Sequence, residues 1–108
     1  MKLGILITAY NEEPRISKVL NKLTNEKVIL VNDGSTDGTE KIVDTYDNIV
    51  KISYKKNRGK GYALKKGLSY AKKNKFDRLI LMDADGQHNP SEIKKFIKKL
   101  DEGYDFIS

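Results

Sequence analysis

The chain has 108 residues, 38% of them hydrophobic and 33% charged, with a formal net charge of +6 at pH 7. That is the size of one small domain with a single core, and the composition is that of a globular chain rather than a disordered one. There is no cysteine, which excludes disulfides and thiolate zinc sites and fits a reducing, cytoplasmic setting; no apolar run approaches the ~20 residues of a membrane span.

Strand and helix patterns alternate along the chain. Leu3–Thr8 is a short apolar run containing Gly4; no cleavage pattern follows it, so it reads as a first strand and not as a signal peptide. Arg15–Leu23 places Ile16, Val19, Leu20 and Leu23 on one helix face. Lys27–Asn32 holds the continuous run Val28-Ile29-Leu30-Val31, the pattern of a strand buried on both faces. A loop rich in Asp, Ser, Thr and Gly leads into a second helix over Thr39–Tyr46, and Ile49–Tyr54 is a third strand. Gly61–Lys73 carries Ala63, Leu64, Gly67, Leu68 and Ala71 on one side of a third helix, and Arg78–Met82 is a fourth strand. Asn89-Pro90-Ser91-Glu92 reads as the start of a last helix: an N-cap, a proline at the first helical position and a glutamate able to close a capping box. Its continuation spaces Ile93, Phe96, Ile97 and Leu100 as one helix face, between Lys94, Lys95, Lys98 and Lys99. Those lysines form either a solvated helix face or a contact for an anionic membrane surface; no exposed aromatics accompany them, which argues against nucleic acid. Tyr104–Ile107 begins a fifth strand. The alternation predicts one α/β domain, Rossmann-like, with right-handed crossovers and a mainly parallel sheet covered by helices on both faces.

In such a fold the functional loops lie at the carboxyl ends of the strands. The unusual polar residues fall there: Thr8–Glu13, Asp33–Thr39, Asn57–Gly61 and Asp83–His88. Asp83 and Asp85 flank Ala84. Two carboxylates so spaced can share one divalent cation, and oxygen ligands suit Mg²⁺ or Mn²⁺; the alternative is a solvated acidic turn. The amide oxygen of Gln87 favours the metal. Asp33, Ser35, Asp37, Gly38 and Asp44 match the positions of a calcium loop, but a strand leads in where a helix is needed, and Glu40 takes the apolar position. The segment therefore reads as a strand-to-helix turn in which Asp33 points into the site and Ser35, Thr36 or Asp37 caps the helix. Gly59-Lys60-Gly61 is no dinucleotide fingerprint, because the third glycine would fall at Leu64. Arg58 and Lys60 either face phosphate or are solvated beside a turn. Tyr10 either stacks on a base or packs over the first helix, and His88 either touches phosphate or sugar or is polar surface.

Taken together these loops resemble the family 2 glycosyltransferases of the GT-A fold, and most of all the polyprenyl-phosphate sugar synthases. Ala9-Tyr10-Asn11-Glu12 resembles the family's opening motif, and Val31-Asn32-Asp33-Gly34-Ser35-Thr36-Asp37-Gly38-Thr39 its acidic segment, with Asn32 where the family often has aspartate. Asn57 to Gly61 is similar to its Asn-x-Gly-x-Gly segment, and Asp83-Ala84-Asp85, followed by Gly86-Gln87-His88-Asn89-Pro90, to its metal motif. The resemblance implies that Tyr10 and Glu12 border the nucleoside and that Asp33 hydrogen-bonds the base. Asp83 would contact ribose or metal, while Asp85 and Gln87 would hold the metal against the diphosphate. It implies a nucleoside-diphosphate sugar donor, Mg²⁺ or Mn²⁺, a lipid-phosphate or saccharide acceptor, inversion by single displacement, and a peripheral place at the cytoplasmic face of the membrane.

The family's catalytic domain is longer, and its second half supplies the acceptor-side base. This reading makes residues 1–108 the nucleotide-sugar-binding half, able to bind donor but with no catalytic residue identified, and with an exposed edge that favours a homodimer. Two rivals are a haloacid-dehalogenase-type phosphatase using Asp83 as nucleophile and Asp85 as acid–base, and a non-catalytic nucleotide-binding module. The phosphatase motif requires Thr or Ser where Gln87 stands, near the start of a long chain.

Overall fold

The computed structural model describes residues 2–84 in full and, for 94–99 and 103–107, the strand backbone alone. The elements run β1 (Leu3–Ala9), α1 (Glu13–Leu20), β2 (Val28–Asp33), α2 (Thr39–Val43), β3 (Ile49–Tyr54), α3 (Lys60–Lys73), β4 (Arg78–Asp83), β5 (Lys94–Lys99) and β6 (Gly103–Ile107). They form one sheet in the order β3-β2-β1-β4-β5-β6. The first four strands are parallel, with Ile7 opposite Leu30 and Met82, while β5 and β6 add as antiparallel strands.

The two-residue strand period sorts the core into two layers. Ile5, Ile7, Val28 and Leu30 face one side of the sheet, where they meet Ile16, Val19 and Leu20 of α1 and Val43 of α2. Leu6, Ile29 and Val31 face the other side and pack on Ala63 and Ala71 of α3, with Phe76 and Leu79. Burial on both faces is why β1 and β2 read as unbroken apolar runs, and every residue of β2 is buried. The α/β class and the helix layers on both faces are as the sequence predicts. The first helix starts two residues earlier than the apolar period indicates, because Pro14 lies in its first turn.

One expected element differs. Lys94–Lys99 is strand β5, paired with β4 through Leu79 opposite Phe96, and not the amphipathic helix predicted there. Beyond β4 the sheet would end in a row of unpaired backbone N–H and C=O groups, and a strand laid along it satisfies them. The apolar spacing here is helical, but the open ladder overrides it. The expected cap over Asn89–Glu92 lies outside the described residues.

Candidate functional site

The chain passes from β1 to β2 and β3 on one side, then returns across β1 to place β4 on the other. The carboxyl ends of β1 and β4 therefore splay into a crevice, the position where parallel α/β sheets bind ligands. A cleft of about 450 Å³ opens there. The β1 end contributes Thr8, Ala9, Tyr10 and Glu12, β2 contributes Asp33, the β3–α3 turn contributes Asn57, Gly59 and Lys60, and β4 contributes Asp83 and Ala84. Tyr10, Glu12, Asp33, Lys60 and Asp83, all expected at a donor site, thus line one cavity; Asp85, Gln87 and His88 lie outside the described residues.

Asp33 forms the floor. Its side chain is buried, and its carboxylate accepts hydrogen bonds from Asn57 Nδ2 (2.9 Å), the Arg58 amide (2.8 Å) and the Gly59 amide (2.9 Å). A carboxylate at the end of β2 thereby fixes the loop that starts α3. Gly34 allows the approach: its φ is +72°, and a Cβ on it would collide with the backbone of Asn57. Gly59 has φ +95° where the loop turns into the helix. Beside this clamp the Tyr54 hydroxyl is buried without a well-formed hydrogen bond. Burial, and then the neighbouring Asp33 carboxylate, push its ionisation above the usual tyrosine range.

The first two polar loops are stitched to each other. Asn11, at φ 53°, accepts from the Thr36 amide at 2.7 Å, and its own amide donates to Ser35 Oγ at 3.0 Å. Asp37 accepts from the amides of Glu13 and Thr39, and the Glu13 carboxylate accepts from the Gly38 amide at 2.7 Å. An acid from each loop thus accepts from a backbone amide at the start of the helix that follows the other loop, where the N-terminal dipole favours negative charge. The N-cap of α2 is Gly38 and not Ser35, Thr36 or Asp37; of those three, Asp37 accepts from the Thr39 amide at 3.0 Å in the first turn. Desolvation pushes its pKa up, but the Thr39 hydroxyl and the surrounding amides outweigh that and hold it below the ordinary carboxylate value. The roles of Asn11, Glu13 and Asn57 were not assigned from sequence: their hydrogen bonds span 24 to 26 residues, which no local pattern reveals.

Asn32 also has a physical reason. Its side chain is buried, donating from Nδ2 to Ser53 Oγ at 3.1 Å, and Ser53 donates onward to Glu40 at 2.6 Å. Glu40 also pairs with Lys51 at 3.0 Å; the Ser53 hydroxyl first and then Lys51 hold its carboxyl below the usual range. An aspartate at this position cannot donate to Ser53 while Ser53 serves Glu40. Asn32→Asp is expected to cost about 1–2 kcal/mol, the loss of one buried hydrogen bond, as a lower urea midpoint at neutral pH. An unchanged midpoint would mean that the network adds nothing.

At the rim Lys60 Nζ lies 3.1 Å from Asp83 Oδ1, with the side chains 66% and 47% exposed. An ion pair this open adds little to stability. It leaves a cation and a carboxylate facing the cleft, where both can engage a ligand. Glu12 is oriented by Arg15, whose Nε donates to it at 2.8 Å. Among the described residues no three His, Cys, Asp or Glu side chains converge as a ready metal site. Asp83 nonetheless has the oxygen donor chemistry that Mg²⁺ or Mn²⁺ takes, at a strand end facing the cleft.

An uncharacterized protein of Methanocaldococcus jannaschii is 41% identical over 105 residues, covering 90% of this chain and 46% of that protein. The UDP-N-acetylglucosamine–dolichyl-phosphate N-acetylglucosaminyltransferase of Methanococcus voltae is 34% identical over 115 residues, covering 89% of this chain and 46% of that enzyme. The chain thus spans about half the length of the curated relatives it matches. Among solved structures, S. aureus TarS 1-349 in complex with UDP superposes with a TM-score of 0.70 at 27% identity, covering 79% of this chain and 28% of that one. The family model of glycosyl transferase family 2 matches residues 4–108, and the chain belongs to that family.

Proposed function

We propose that these residues form the donor-binding portion of a glycosyltransferase that passes a sugar from a nucleoside diphosphate, uridine diphosphate first among them, to a polyprenyl-phosphate acceptor with inversion at the anomeric carbon. The observation that carries this reading is the cleft at the crossing of β1 and β4, with Asp33 at its floor and Lys60 and Asp83 at its rim. The likeness to a UDP-bound structure supports the donor, and the likeness to a dolichyl-phosphate transferase supports the acceptor.

In this reading Tyr10 and Glu12 border the nucleoside and Asp33 meets a base N–H. The Lys60 ammonium and the first turn of α3 face the diphosphate, where positive charge stabilises the leaving group as its bond to the sugar breaks. Asp83, with Asp85 and Gln87, would hold Mg²⁺ or Mn²⁺, which when bound supplies Lewis-acid stabilisation of the same leaving diphosphate. All these groups serve the donor. The base that takes the acceptor proton is expected from the remainder of the family's longer domain. A lipid-phosphate acceptor would put the site at the cytoplasmic face of a membrane.

Calorimetry on the 108-residue chain with UDP, GDP and ADP in Mn²⁺ tests the donor assignment, and a transfer assay from UDP-sugars to polyprenyl phosphate tests the division of labour. UDP is expected to bind most tightly, without turnover. Failure of all three nucleotides to bind would overturn the donor reading, and sustained transfer by this chain alone would overturn the donor-only assignment.

A further inference from the structure

We propose that the outward face of α3 is a docking surface for an anionic phospholipid bilayer. The charge of the chain is unevenly placed: residues 48–76 contain ten lysines and arginines and no acid, whereas residues 2–47 contain eight acids and six cations. The fold turns this division in sequence into a division in space. The helices α1 and α2 cover one face of the sheet and α3 covers the other.

Within α3 the sheet-facing stripe is Ala63, Gly67 and Ala71, at intervals of four. The opposite stripe is Tyr62, Lys65, Lys66, Lys72 and Lys73, all exposed. Tyr62 is 38% exposed, its ring packed edge-on against Tyr54 with centroids 5.3 Å apart, and it is flanked by cations: Arg58 lies 5.5 Å and Lys66 5.4 Å from its ring centre. Lys51 and Lys60 of the same segment are committed elsewhere, to Glu40 and Asp44 and to Asp83. The remaining cations carry net charge outward.

A face built of lysine is costly to bury against protein, because each ammonium would lose water without a partner. It is well matched to a negatively charged lipid surface, which attracts clusters of 4–8 basic residues on a helix face and accepts an amphipathic ring such as Tyr62 at headgroup depth. Single-stranded nucleic acid is the poorer match, since it needs successive stacking rings along a groove, and here one ring stands on a convex helix. The patch is continuous with the site: the Asn57–Lys60 turn that begins α3 also lines the cleft, so a bilayer held on this face lies beside the cleft mouth. Docking requires neither nucleotide nor sugar, so it stands or falls apart from the transfer reading.

The test is co-sedimentation of the 108-residue chain with vesicles of phosphatidylcholine alone and of phosphatidylcholine mixed with phosphatidylglycerol. Binding is expected only to the mixed vesicles and is expected to weaken as salt rises. The variant K65Q/K66Q/K73Q should lose roughly tenfold or more in partitioning. The variant K18Q/K22Q/K41Q removes the same charge from exposed positions on α1, its following turn and α2, and should bind as the parent does. Equal losses in the two variants would overturn the proposal, since net charge and not this face would then drive binding. So would an oligoribonucleotide that binds the chain more tightly than the vesicles and displaces them.

Discussion

Asp33→Asn is expected to destabilise the ligand-free chain by about 2–3 kcal/mol and to weaken UDP binding by tenfold or more. The carboxylate accepts three hydrogen bonds from the β3–α3 turn, at 2.9 Å from Asn57, 2.8 Å from Arg58 and 2.9 Å from Gly59. An amide has one acceptor oxygen. Whichever way it turns, its NH₂ group faces a backbone N–H, and at least one bond becomes a clash between donors. Asn57 cannot compensate by turning its own amide, because Nδ2 also donates to the Asp33 carbonyl at 3.0 Å. Charge-assisted bonds contribute roughly 1.5–3 kcal/mol each, less here because Asn57 and Arg58 reach water. For a domain of this size the loss corresponds to a fall in melting temperature of roughly 10–20 °C. The affinity falls with it, because the loop that Asp33 holds is the loop that lines the cleft. Calorimetry and thermal unfolding separate this clamp from a purely base-reading role. Lost affinity at an unchanged melting temperature would leave Asp33 as a contact to the base alone.

The division between what was legible in the sequence and what was not follows from range. The strands were legible because β1 and β2 are buried on both faces and show as Leu3–Thr8 and Val28–Val31 without interruption. The grouping of Tyr10, Glu12, Asp33, Lys60 and Asp83 was legible because such folds bind ligands in the segments that follow the strands, and these five line one cleft. What each residue does to its neighbours was not. The pairing of Asn11 with Thr36, or of Glu13 with Gly38, joins two loops about 25 residues apart, and that contact exists only once the strands are aligned. The motifs containing Asn11 and Asp37 are therefore partly structural: each loop holds the other in shape. Beyond β4 the prediction failed because the helical spacing of Ile93, Phe96, Ile97 and Leu100 is overridden by pairing along the edge of the sheet.

Asp83→Ala is expected to act in opposite directions with and without metal. In the parent chain Mn²⁺ should strengthen UDP binding by roughly tenfold or more, since Asp83 offers hard oxygen donors beside the place proposed for the diphosphate. In EDTA the same carboxylate opposes the diphosphate. It also occupies Lys60, whose Nζ lies 3.1 Å from Asp83 Oδ1. Two unit charges about 4 Å apart interact by roughly 1 kcal/mol in water and more in a partly enclosed cleft. Removing Asp83 should therefore abolish the gain from Mn²⁺ while raising metal-free affinity severalfold, because Lys60 becomes free to meet phosphate. The fold should persist, because the lost ion pair is largely exposed and contributes little to stability. Asp85→Ala should also lose the Mn²⁺ gain, since Asp85 belongs to the proposed metal set. Titrations of UDP in Mn²⁺ and in EDTA, on the parent and both variants, separate the roles. Equal affinity of the parent in the two buffers would remove the metal from the site. A fall in affinity of the Asp83 variant in both buffers would make that residue a direct contact to the nucleotide, with ribose its natural partner.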